Sequence, residues 1–144
     1  MKSIIYKLLS LAIMLVVFVG CNNSEEVVIS TYPDGQAKLV RCYDSHDSTT
    51  YKEIQYYDNN QKKLEGKYIE GQKSDEWTAW YRNGSVWSKG YFKNGKSDGR
   101  RTIYYDNGIK YITGEYSEGV RVGVWEFYDS VGVLIKKVDY STFE

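Results

Sequence analysis

The sequence predicts an all-β fold, a meandering antiparallel sheet built from stacked β-hairpins. Three observations carry that prediction. Fifteen Tyr, four Trp and four Phe make the 144-residue chain 16% aromatic, a composition suited to pleated, half-buried surfaces. Thirteen Gly stand beside a single Pro, which favours short strands joined by glycine turns. Glycines also recur every 24 residues: Gly84, Gly108 and Gly132 form one register, Gly66, Gly90 and Gly114 a second, and Gly71, Gly95 and Gly119 a third. A fixed period of that size marks a repeated supersecondary unit.

The first element is a separate piece. Lys2 and Lys7 form a basic start, and the run from Leu8 to Gly20 is apolar apart from Ser10. A spanning helix needs about 20 apolar residues, so this shorter run fits the apolar helix of a secretory signal over residues 1–20. Phe18-Val19-Gly20-Cys21 resembles the bacterial lipobox, in which a small residue precedes a cysteine that is lipidated and becomes the new amino terminus. An ordinary cleaved signal, or an uncleaved anchor, is the alternative reading. Residues 21–27 then read as a polar tether, and two or three acyl chains on Cys21 give stable membrane anchoring. Glu25-Glu26 resembles the signal that sends some lipoproteins to the outer leaflet of the outer membrane; a tether facing the periplasm is the other option. A thioether lipid occupies the Cys21 sulfur, so no disulfide framework is expected despite the oxidising compartment.

Residues 28–144 read as about five units of 24 residues. Asn83-Gly84 and Asn107-Gly108 lie between aromatic-rich runs, the strongest short signal for a two-residue hairpin turn with positive φ at both positions. Gly132 holds the same place at the end of the chain, and Asn60 one unit earlier. The second turn of each unit, at Gly71, Gly95 and Gly119, reads as a looser connection. Tyr32-Pro33-Asp34-Gly35 begins a divergent first unit, and the polar stretch from Cys42 to Thr50 reads as a loop between divergent strands. Further aromatic registers run through Tyr68, Phe92, Tyr116 and Tyr140, and through Tyr57, Tyr81 and Tyr105.

Trp80-Tyr81-Arg82-Asn83-Gly84, Gly90-Tyr91-Phe92-Lys93-Asn94-Gly95-Lys96-Ser97-Asp98-Gly99 and Tyr104-Tyr105-Asp106-Asn107-Gly108 resemble the bacterial variant of the MORN repeat. This is the type named as the antitoxin component of YwqK-like toxin-antitoxin systems, and the resemblance extends over residues 28–140 or so. It implies stacked hairpins, a role in interaction and no established active site. A chain exported behind a lipobox meets a toxin only if that toxin acts in the envelope.

Charge and chemistry narrow the function. Nineteen basic residues balance nineteen acidic ones, which removes the charge excess that tracks a phosphate backbone, and with it nucleic acid. The single histidine, His46, rules out mechanisms that need two imidazoles. No glycine-rich loop opens a helix to cradle phosphate. The chain therefore reads as a non-enzyme with no catalytic residue, cofactor or metal. Trp80, Tyr104 and Tyr128 recur at the same place in successive units, and with Trp87 and Tyr111 they form the expected partner-binding face; rings that serve a thin sheet in place of a two-layer core are the alternative reading. The expected partner is a protein, with a glycan or lipid headgroup as the alternative.

Overall fold

The computed structural model describes residues 24–44 and 46–141; the expected signal segment and Cys21 lie outside the described residues. Ten strands follow one another: β1 (Ser24–Thr31), β2 (Ala37–Asp44), β3 (Asp47–Tyr56), β4 (Lys62–Ile69), β5 (Gln72–Trp80), β6 (Val86–Lys93), β7 (Lys96–Tyr104), β8 (Lys110–Ser117), β9 (Val120–Tyr128) and β10 (Leu134–Asp139). They pair in sequence order as one open antiparallel sheet, the meander expected from the 24-residue period. Two expectations change. Strand β1 starts inside the segment read as a tether, and Cys42–Thr50 is not a loop but the end of β2, a tight turn and the start of β3. The polarity that suggested a loop serves the turn: the Asp47 carboxylate accepts from the Thr49 N–H and from the Thr49 and Thr50 hydroxyls.

The two kinds of turn exchange roles relative to the sequence reading. At Gly84 the closing pair is Tyr81 and Ser85, Gly84 N–H donates to the Tyr81 carbonyl, and φ is +87° at Gly84, whereas Asn83 is not left-handed. The loop is therefore a three-residue turn whose glycine forms the bulge. Asn83 explains the choice, because its Oδ1 accepts from the Ser85 N–H at 2.9 Å and fixes its own backbone as an Asx turn. Asn107 does the same for Ile109. The two-residue turns with positive φ at both positions are the ones expected to be loose: Glu70-Gly71 (50° and 76°), Asn94-Gly95 (49° and 79°) and Glu118-Gly119 (50° and 90°).

A repeated packing device forms the thin core. Trp77 in β5 and Trp125 in β9 lie flat over the neighbouring strand's Gly66 and Gly114; a Cβ on either glycine would sit 2.1 or 2.2 Å from the indole ring. Only glycine admits the ring so close to backbone. Trp125 is 1% exposed, and its Nε1 donates to the Glu115 carbonyl as Trp77 Nε1 donates to the Lys67 carbonyl. Tyr68 and Tyr116 meet these indoles edge-on at 5.1 Å, with Phe92 and Tyr140 on the far side. In the unit between them Arg101 takes the tryptophan position, over Gly90. A smaller cluster of Val40, Cys42 and Ile54 closes the first hairpins. Cys42 is disulfide-bonded, against the expectation of no disulfide.

Successive units are also tied along one edge of the strands. Tyr32, Tyr57, Tyr81 and Tyr105 each donate a hydroxyl hydrogen bond to a carbonyl one unit ahead, at Tyr56, Trp80, Tyr104 and Tyr128 respectively, over 2.8–3.0 Å. The hydroxyl spans the two-strand gap, so each turn holds the next.

Candidate interaction faces

The strand registers sort the side chains into two faces. On one, the cross-strand row Leu39, Gln55, Leu64, Ala79, Ser88, Ile103, Ile112 and Phe127 is mostly apolar. The tryptophans and their glycines lie on this face, two residues along their strands. Apart from Ala79 and Ser88 the row is half-buried, and no second layer of strands or helices packs on it among the described residues. Lys73 also sits here, its Nζ 4.0 Å from the centre of the Trp77 ring. Burial pushes its ammonium below the ordinary lysine value, with Arg101 adding to this and Glu53 opposing it.

The opposite face is polar from β4 onward. Its row runs Glu65, Thr78, Lys89, Thr102, Thr113, Glu126 and Lys137, knitted by ion pairs and hydroxyl bonds. Glu65 takes both Lys52 and Lys62; burial pushes its carboxyl up, but the two lysines outweigh this and hold it below the ordinary glutamate value. Thr102 and Thr113 share a hydrogen bond at 3.1 Å, Arg100 pairs with Glu115 at 3.0 Å and Lys137 with Glu126 at 2.7 Å. Tyr91 donates to Glu76, lowering that carboxyl and raising its own hydroxyl. Two hollows open on this face. The larger, about 450 Å³, is lined by Lys52, Glu65, Lys67, Glu76 and Thr78, and the other, about 360 Å³, by Arg100, Thr102, Tyr104, Lys110, Thr113 and Glu126.

The five residues read from the sequence as one binding face fall into two groups. Trp80, Tyr104 and Tyr128 lie on the polar face, half-buried: Lys62 stands over the Trp80 ring, Tyr104 lines the smaller hollow, and Tyr128 donates to Glu126 at 2.7 Å. Trp87 and Tyr111 are exposed but cover the turn tyrosines, with Tyr81–Trp87 centroids 6.5 Å and Tyr105–Tyr111 centroids 4.8 Å apart. The strand bulges opposite Trp80 and Tyr104 turn these residues away from simple alternation. The Trp77–Arg101–Trp125 register went unread in the sequence. Its signal was present, since each follows its glycine by 11 residues. The remaining polar candidates stay local. His46 is exposed in a turn and its N–H donates to Asp44, and among the described residues no three His, Cys, Asp or Glu side chains converge as a metal site.

The hairpin of β5 and β6, which includes Trp77, overlaps a known motif. Residues 76–94 match the MORN repeat variant. Repeats of this type are generally non-catalytic modules. A search of the curated proteins finds no match. Among solved structures, the pneumococcal O-GlcNAc transferase GtfA in complex with UDP and GlcNAc is 17% identical, with 62% of this chain and 18% of that chain covered and a TM-score of 0.40. A S. aureus TarM variant in complex with Fondaparinux, alpha-GlcNAc-glycerol and UDP is 12% identical, covering 69% and 21%, with a TM-score of 0.37. The chain spans about a fifth of the length of these proteins.

Proposed function

We propose that the protein is a membrane-anchored, non-enzymatic interaction module that binds a protein partner across its apolar face. The observation that carries this is the row Leu64, Ala79, Ser88, Ile103, Ile112 and Phe127, apolar but for Ser88, which crosses the strands of a single-layer sheet with no second layer on it among the described residues. A mostly apolar strip of this kind suits a protein surface. The MORN repeat variant within it supports an interaction role. The basic start, the short apolar run and the Gly20-Cys21 junction support a lipid on Cys21 that holds the module at the outer membrane, periplasmic or surface-exposed. An antitoxin or immunity-type role, against a toxin acting in the envelope, falls within this reading.

One arrangement favours a second partner class. In the smaller hollow the Tyr104 ring stands with Thr102, Thr113 and Glu126, and a ring beside carboxylate and hydroxyl groups suits a glycan, whose apolar face stacks while its hydroxyls bond. Capture from the protein's own membrane separates the two. Ile103→Glu with Ile112→Glu should abolish capture of the protein partner while circular dichroism shows a folded sheet, since anchor residues typically carry about 2 kcal/mol or more each. Loss on Trp80→Ala with Tyr104→Ala, and retention in the isoleucine variant, would reject the apolar face and select the polar one.

A further inference from the structure

The two ends of the sheet differ from its interior in a complementary way. Edge strand β10 exposes Leu134 and Ile135, the latter 65%. The repeat explains this exposure. Ile135 holds the place of Trp87 and Tyr111, each of which covers a turn tyrosine, but the turn residue of the last unit is Asp129 and offers no ring. Edge strand β1 exposes Val28 and Ile29. Each edge also carries adjacent charges: Glu25 and Glu26 on β1, with no basic residue in the strand, and Lys136 and Lys137 on β10.

We infer that β1 of one copy pairs with β10 of a second copy, head to tail, continuing the meander across molecules. Strand directions allow it: neighbours alternate from β1 to β10, so a following β1 placed in the same sense runs antiparallel to β10. The faces fix the register. Glu26 shares its face with Cys42 and Val40, and Lys137 shares that same face through Glu126 and the polar row. Placing Glu26 opposite Lys137 sets Glu25 diagonal to Lys136 and brings the exposed Val28 and Ile29 alongside Leu134 and Ile135, where each strand carries a bulge at its isoleucine. Opposite charges and apolar pairs directly across strands stabilise an antiparallel ladder, and the exposed backbone groups of both edges find partners. Self-pairing of two β1 edges gains no such ion pair. A head-to-tail contact leaves a free edge at each end, so the assembly is an open chain and not a closed dimer.

The test uses the full chain in detergent. Sedimentation should show a weight-average mass that keeps rising with concentration. Glu25→Lys with Glu26→Lys, and separately Lys136→Glu with Lys137→Glu, should each weaken association by at least about tenfold, because like charges then face each other; an equimolar mixture of the two variants should restore it. Ile135→Lys, which leaves the Lys137–Glu126 pair intact, should weaken it similarly. Zero-length carboxyl–amine coupling locates the contact. Nine strand spacings of about 4.8 Å separate β1 from β10 within one copy, so an amide joining Glu25 or Glu26 to Lys136 or Lys137 is intermolecular. Recovery of that link supports the inference. A monomer at every concentration, association unchanged by charge reversal, or coupling of β10 only to β10 through Asp139 would each overturn it.

Discussion

Gly114→Ala is the substitution on which the packing argument is most exposed. Judged by propensity alone it should help, because glycine inside a strand costs roughly 0.5–1 kcal/mol relative to alanine. Gly114 has no positive φ to protect. The structure reverses the sign: the new Cβ would lie 2.2 Å from Trp125 Cδ2, and backbone on one side with Tyr116 and Tyr140 on the other leave the indole no free direction. Overpacking of this kind costs about 1–3 kcal/mol, and complete loss of a buried Trp sets a ceiling of about 3–5 kcal/mol. The net expectation is a loss of about 2 kcal/mol, which for a domain of this size lowers Tm by roughly 8 °C. Gly90 supplies the control. It holds the same place in the repeat, but a Cβ there meets Arg101 Cδ at 2.8 Å, a flexible chain that swings aside. Calorimetry on Gly66→Ala, Gly90→Ala and Gly114→Ala should therefore give two large losses and one near zero. Equal changes at the three positions would refute the ring-on-glycine account.

Three further outcomes are expected. Tyr81→Phe removes the hydroxyl that donates to the Tyr104 carbonyl at 2.8 Å and should cost about 1 kcal/mol by urea denaturation, whereas removal of the exposed Tyr111 hydroxyl should cost less. The Glu65 carboxyl is held below its ordinary value of 4.5 in the folded protein by Lys52 and Lys62. A depressed folded value gives stability that is fully present above that ordinary value and is lost as pH falls through the lower one. Stability should thus decline on acidification below about pH 4.5, and less steeply in Glu65→Gln; parallel profiles would exclude the cluster as a cause. Gly108→Val places a β-branched residue at φ +83° and should destabilise by about 1 kcal/mol or more, measured against Lys110→Ala.

Anchoring has its own readout. A lipid thioether and a disulfide compete for one sulfur, so the intact mass of the mature protein decides between them. Clickable fatty-acid label that disappears in Cys21→Ser is the expected result. Label that persists, or a mature chain gaining two hydrogens on reduction and carrying no lipid, would reject the anchor.

The period of the fold was legible in the sequence because glycine is required at fixed intervals, and the registers of Gly84 and Gly71 do fall in turns. Which turn was tight was not legible, because Asn-Gly suits both a two-residue loop and an Asx turn with a single left-handed glycine; only the Asn83 bond to Ser85 distinguishes them. The glycines at 66, 90 and 114 looked like further punctuation, but they are landing sites for side chains 11 residues on. Bulges hid the faces. One extra residue beside Val86 and Lys110 shifts the alternation, so Trp87 and Tyr111 do not join Trp80 and Tyr104.

The placement of β1 and β10 on opposite edges of an open meander has a mechanical consequence. Tension applied between the termini loads the outermost ladder bonds one after another, as a zipper opens, and never loads a whole strand's bonds in parallel shear. Resistance should be low and nearly constant. Because the repeat is 24 residues, each released unit should lengthen the chain by about 70 Å, from roughly 3.5 Å per extended residue less the 10 Å that two strands occupy in the sheet. An optical trap would record a staircase of near-equal steps. The turn tyrosines bond one unit ahead, so peeling from the β10 side should break one such bond at each step.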